Sequence, residues 1–275
     1  DISIHGAMFD ENKFLLNNVN IGNTLNPAET SDAVSGSMQG SSLNANINTD
    51  LICELEVLES NVSAAYGGFT GGVIKAKTCA PETEIGAVHG SLNYDYTSSD
   101  WTRFNYVNDD EKAEFDHNTD AKYQKDFVKQ GLSATGYGRV SEATAINLSA
   151  ARRQSDIQLK SDFAEQQNYT QTRQEDNFSG NIYHEIDQQH KLIFGLHYQN
   201  SEKKKYNAAL LNSSYLSNLE NIALDAEHEY RFDGGVLTQS IVLQKQDNHR
   251  DSSANTSTAW NKSPAKNWDD GLQNE

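Results

Sequence analysis

Seven segments between residues 84 and 246 alternate apolar and polar side chains with a period of two, and the links between them alternate in length. In the first, Val88, Leu92, Tyr94 and Tyr96 share one parity, with His89, Ser91, Asn93 and Asp95 on the other. Leu132, Ala134, Gly136, Gly138 and Val140 oppose Ser133, Thr135, Tyr137 and Arg139, and Ile146, Leu148 and Ala150 oppose Asn147 and Ser149. The pattern recurs at Phe178, Gly180, Ile182 and Ile186, at Leu192, Phe194, Leu196 and Tyr198, and at Ile222, Leu224, Ala226 and Tyr230. The seventh segment, near 235–246, alternates weakly. A period of two is the signature of strands. Links around 140–143, 187–190 and 232–235 are tight, whereas those at 108–124, 157–174 and 203–217 are long and polar, and another begins near 251. A soluble sandwich has no reason to gather every long loop at one end. A membrane-spanning antiparallel barrel does, with short turns on one side and long loops on the other.

The composition agrees with a wall that is wet on one face. Apolar residues make up 36% of the chain and the mean hydropathy is −0.73, low for a soluble core of 275 residues. The net charge of −17 opposes nucleic acid, whose phosphates it would repel. No apolar run is long enough for a spanning helix, which leaves spanning strands open. Beginning at Asp1 rather than Met, the sequence reads as processed or cut.

The first 82 residues have a different texture. Extended candidates at 2–4, 13–21, 50–58 and 73–78 are separated by irregular loops, the longest at 22–48. Leu51, Cys53, Leu55 and Val57 share one face of their segment, opposite Glu54 and Glu56. Between 61 and 78 runs "NVSAAYGGFTGGVIKAKT", with four glycines from Gly67 to Gly72. A phosphate cradle would need a helix after the glycines or a Gly-Lys-Ser/Thr step, and a strand follows instead. A plain hairpin turn needs one or two special glycines, not four.

"LEVLESNVSAAYGGFTGGVIKAKT" (55–78) resembles the end of the plug domain of TonB-dependent outer-membrane receptors. "ISIHGAMFDENKFLLNNVNIGN" (2–23) resembles an earlier plug segment, with His5 at the family's usual Arg and Asn17-Asn18 at its Asn-Gly. The resemblance implies a mainly β chain: a plug with a small mixed sheet over 1–82, then the first strands of an antiparallel transmembrane barrel over 83–275. It also implies that a coupling box, the start of the plug and further barrel strands belong to the whole receptor. A plug packed inside a barrel needs residues without Cβ bulk where its loops pass close to other chain, which accounts for the glycines.

The same resemblance implies function. The whole protein would be a receptor for energy-coupled uptake of a scarce ligand such as a ferric siderophore, haem, cobalamin or a carbohydrate. Its partners would be the TonB energy-coupling complex, outer-membrane lipid and a small-molecule ligand, without nucleic acid. It would act as a monomer in the outer membrane of a Gram-negative bacterium. Plug loops near 5–12 and 22–30 would form the apex that meets ligand, with His5, Met8, Phe9, Asn23 and Thr24 as substrate-binding candidates. Cys53 and Cys79, which the residues alone leave open between buried thiols and a bond, would pair across the plug sheet in the oxidising periplasm.

No enzyme motif appears and no cofactor is expected: the eight His are scattered, without His-Glu-x-x-His or Gly-x-Ser-x-Gly. Asp116, His117 and Asp120 form a weak metal candidate, and Asp109-Asp110-Glu111 reads as a solvated surface. The competing architectures are an adhesin barrel, which would lack a plug, and a soluble β-sandwich binding module, which would bury both inner faces.

Overall fold

The computed structural model describes residues 4–8, 11–23, 52–63, 66–117, 125–160, 168–206, 210–211, 214–252 and 258–259. Strands β1 (Lys13–Leu16), β2 (Val19–Asn20), β3 (Ile52–Leu58) and β4 (Val73–Thr78) form a mixed sheet in the order β2-β1-β4-β3. β1 and β4 are parallel in it, and the other pairs are antiparallel. Strands β5 (Val88–Ser98), β6 (Asp126–Arg139), β7 (Thr144–Lys160), β8 (Asn168–Glu185) and β9 (His190–Lys205) continue the chain. After β10 (Leu210–Leu211) come β11 (Tyr215–Phe232), β12 (Gly235–Ser252) and β13 (Thr258–Ala259). Among the described residues β10 pairs with β13, and the seven long strands form one antiparallel meander, β12-β11-β9-β8-β7-β6-β5.

The meander puts the tight links at one end of the wall and the long ones at the other. Asp233-Gly234 is a two-residue turn, and Asp187 caps the β8–β9 turn by accepting the N–H groups of Gln189 and His190. The long links are shorter than the sequence suggests. β7 runs to Lys160 and β8 starts at Asn168, so the ladder occupies most of 157–174. Likewise β9 and β11 take both ends of 203–217. The 108–124 link holds helix α1 (Asp109–His117), whose first turn contains Asp109, Asp110 and Glu111. Asn108 Oδ1 accepts the Glu111 N–H and Glu111 reaches back to the Val107 N–H, a reciprocal cap that gives the acid run a structural role.

Along the middle of the long strands the open parity is apolar and the buried parity largely polar, whereas nearer the long loops Phe127, Ile157 and Leu159 form a buried apolar cluster on the inner parity. Val88, Leu92, Leu132, Phe194, Leu196 and Leu224 are exposed, and Ile146 is half-buried. In register they form rungs across the sheet, such as Leu148–Gly180–Leu196–Leu224–Leu243 and Ile146–Ile182–Phe194–Ala226–Ile241. Their neighbours Asn147, Ser149, Asn181, His197, Gln199, Asn221 and Asp225 are buried on the face turned to the small sheet. Such an inversion suits a wall with lipid outside and a wet lumen inside. Aromatic residues edge the apolar band. Toward the tight turns His190 stacks on Tyr230 at 4.6 Å, and Tyr230 touches Phe232; toward the loops stand Tyr94, Tyr96 and Trp101. Ile222 to Phe232 on one strand gives, at the usual rise and tilt, about 25 Å of band height.

Candidate functional site

The lumen face matters because the small sheet docks on it. Ile4, Phe14, Leu16, Val19, Ile21, Ile74 and Ala76 pack with Ala223 of the wall, and Val242 is drawn against the same cluster. Polar rungs complete the contact. Asn17 Nδ2 donates to Asn181 Oδ1 at 3.2 Å, and Asn17 Oδ1 accepts the Thr78 N–H at 3.0 Å. Asn181 in turn donates to Asn147, which reaches the Tyr183 hydroxyl and the carbonyl of Cys79. Thr78 Oγ1 lies 2.7 Å from the same Tyr183 hydroxyl. Gln244 donates to the Asn20 carbonyl at 2.8 Å, and Asn18 donates to Glu227. Asn181 is fully buried, so breaking one partner leaves a polar group without water, which costs about 1–3 kcal/mol. The junction is therefore specific rather than greasy.

Beside it lies a cleft of about 170 Å³ between sheet and wall, lined by Asn17, Lys75, Lys77, Tyr183, Lys191 and Glu229 among others. Asp225 also reaches it, with Oδ1 3.1 Å from His197 Nε2 and Oδ2 buried without a hydrogen-bond partner. His197 Nδ1 faces Ser179 Oγ at 2.9 Å. The charged faces of β3 and β4 meet in register, Glu54 opposite Lys77 and Glu56 opposite Lys75, with a 3.5 Å ion pair in the first.

At the other end of the small sheet, residues 4–8 and 11–12 form a crown with the glycine stretch. His5 and Gly6 take left-handed backbone (φ 54° and 77°), closing a turn by the Ala7 N–H to the Ile4 carbonyl. A Cβ at Gly71 would strike Asn12 and Ala7, and one at Gly72 would meet Ile4. Asn12 Oδ1 accepts the Gly72 N–H at 3.0 Å, and Lys13 Nζ donates to the Gly67 carbonyl at 2.8 Å. Gly68 supplies a turn at φ 79°. The glycines thus serve close approach and turning.

His5 and Met8 are exposed on this crown, on the side of the sheet away from the tight turns, and Asn23 is buried. Phe9, Thr24, Leu51 and Asp120 lie outside the described residues. Asp116 pairs with Lys112 along α1 at 3.7 Å, and among the described residues no group of His, Cys, Asp and Glu is arranged to hold a metal. Cys53 and Cys79 are bonded, with Cα atoms 5.8 Å apart. The apolar parity that carries Cys53 is open: Leu55 is 66% exposed. β3 is the edge strand, and a register shift between Ile52 and Glu54 leaves Ile52 as its contact with the apolar cluster. Sequence reasoning missed the Asn17–Asn181–Asn147–Tyr183 network; its signal was a repeated amide or hydroxyl at lumen parity.

A small mixed sheet docked on the polar face of an antiparallel wall whose other face is apolar is the fold of TonB-dependent outer-membrane receptors. The chain is similar to the outer-membrane transporter YddB from Escherichia coli, with a TM-score of 0.72 and 22% identity over 90% of this chain and 33% of that one. The siderophore receptor PirA from Pseudomonas aeruginosa follows with a TM-score of 0.56 and 14% identity over 93% of this chain and 36% of the other. The ferric enterobactin receptor PfeA of the same organism, in a mutant form, gives 0.56 and 13% over 92% and 34%. In sequence, the curated but uncharacterized protein YddB of Escherichia coli strain K12 is 31% identical over 159 residues, 57% of this chain and 20% of that protein. No family model matches. The chain thus spans about a third of the similar structures and a fifth of the curated relative.

Proposed function

We propose that the whole protein is a receptor for TonB-coupled active uptake of a scarce small ligand, of the ferric siderophore, haem, cobalamin or carbohydrate kind. The observation that carries this reading is the hydrogen-bonded seating of the small sheet on the lumen face, through Asn17, Thr78 and Gln244. A lumen occupied in that way does not pass solute freely, so transport requires work on the plug. An adhesin has no use for such an insert. Residues 1–82 are the plug part and 83–275 the barrel part in this reading, and the receptor works as a monomer. The crown, with His5, Met8 and Phe9, and the segment of Asn23 and Thr24 are proposed to meet ligand, mixing donors with apolar surface as chelate pockets do. Ligand uptake by the full-length receptor, with and without its energy-coupling partner, tests the proposal. Uptake that needs the partner supports it, and equal uptake in both conditions refutes it.

A further inference from the structure

The apolar, outward face of the wall ends in imidazoles where it meets the tight turns. From the Ile146–Ile182–Phe194–Ala226–Ile241 rung to those turns, the outward parity of the seven strands holds no Lys, Arg, Asp or Glu. Its ionisable side chains are His184, His190, His228 and Tyr230. Arg139, Glu185, Lys191, Glu229 and Arg231 stand at the same height on the lumen parity. His184 and His228 flank Leu192 in one rung, roughly 10 Å apart at two strand spacings. His190, opposite Tyr230 in the neighbouring outward rung, joins His228: its Nδ1 lies 3.0 Å from His228 Nε2, with the rings 6° from parallel. Both residues are half-buried, and His190 Nε2 and His228 Nδ1 have no partner among the described residues.

The shared bond fixes what the pair can present. Two neutral imidazoles place one proton between the rings, so one outer nitrogen is a donor and the other a bare acceptor. One further proton, taken from water, keeps the shared bond, makes both outer nitrogens donors and leaves a single positive charge. A second would remove the acceptor and break the bond. Imidazole gains its proton between about pH 8 and 5. The groups around the pair are Tyr230, stacked on His190 at 4.6 Å, His184 on β8, and Asp187 in the β8–β9 turn, which accepts the His190 N–H. β12 brings Leu237 and Gln239 to this face and no charge. We propose that the His190–His228 pair grips the phosphodiester of an anionic phospholipid in the leaflet at the tight-turn end, and grips it harder as pH falls. One charge beside two N–H donors suits the two free oxygens of a phosphodiester. The occupant is lipid rather than free phosphate because the pair is continuous, through Tyr230 and Phe232, with the apolar band that acyl chains would cover. The inference rests on that face meeting lipid and is independent of any transported ligand.

The experiment titrates the full-length receptor, in nonionic detergent, with acyl-labelled phosphatidylglycerol and with phosphatidylcholine carrying the same label, read by anisotropy at about pH 7.5 and about pH 5.5. The anionic lipid should bind about fivefold tighter at the lower pH, the gain from one basic charge at an anionic headgroup, and the choline lipid should gain little. His190→Gln with His228→Gln should remove the gain, and His190→Gln with His228→Lys should bind tightly at both pH values. His249→Gln, exposed on the same parity toward the other end of β12, should keep the gain. An equal gain in wild type and the double Gln variant, an equal gain for the choline lipid, or displacement by glycerophosphoglycerol (the same headgroup without acyl chains) at equal concentration overturns the assignment.

Discussion

Gly195 and Asp225 are directly opposed in the β9–β11 register, and the Asp225 carboxylate lies over the glycine where a Cβ would be. The missing side chain leaves room for that carboxylate to meet His197 from the same strand as Gly195. Gly195→Ala would drive methyl against Oδ1 and part the pair. The expected cost is about 1–3 kcal/mol, the range for overpacking a tight site. Urea unfolding of the full-length protein in vesicles reads it. Gly136, around which a Cβ would find open space, is the control: Gly136→Ala should change little.

The Cys53–Cys79 bond closes a separation of 26 residues and ties the edge strand β3 to the end of β4. In the chain-entropy model a loop of this size contributes about 3 kcal/mol. Because Cys79 also carries the carbonyl that Asn147 reaches, loosening the β4 end disturbs the docking of sheet on wall. Cys53→Ser should therefore expose the plug to added protease while the wall stays resistant. Equal protection in oxidised, reduced and Cys53→Ser protein would contradict this.

The wall was legible in the sequence because burial and exposure alternate with the chain's own pleat, as Leu224 and Asp225 do on successive positions. Strand ends were not legible where the pattern changes parity. In β7 the apolar positions Ile146, Leu148 and Ala150 give way, across polar Gln154, Ser155 and Asp156, to Ile157 and Leu159 on the other parity, yet the backbone continues one ladder with β8. The orientation of β3 was hidden for a different reason: the shift beside Cys53 moves side chains across the sheet, and one-residue shifts leave no trace in composition. The plug–wall network needed three dimensions, since Asn17 and Asn181 are 164 residues apart.

Asp187 makes the β8–β9 turn acid-sensitive. Bonds from the Gln189 N–H, then the His190 N–H, and the charge of His190 hold its carboxyl below the ordinary 3.8. The folded value is the depressed one, so the stabilisation is complete above the unfolded value and is lost as pH falls through the folded value. Amide exchange at Gln189 and His190 should stay protected from neutrality to about pH 4 and loosen below it. Asp187→Asn should abolish that acid limb. An unchanged limb in the variant would assign it to another group.

Ser240 and Ile241 are adjacent on β12, both exposed, and turned to opposite faces: Ser240 pairs with Glu227 on the lumen side and Ile241 with Ala226 on the apolar side. If lipid covers the apolar face, a cation at Ile241 enters hydrocarbon while one at Ser240 enters water beside a carboxylate. Ile241→Arg should cost about 2–4 kcal/mol near the bilayer midplane, and Ser240→Arg should be close to neutral. The comparison holds strand, height and introduced side chain constant, so strand propensity and net charge cancel. Urea titration of the full-length variants folded into phospholipid vesicles measures both. A larger cost at Ser240 than at Ile241 would put lipid on the face that carries the plug and invert the wall.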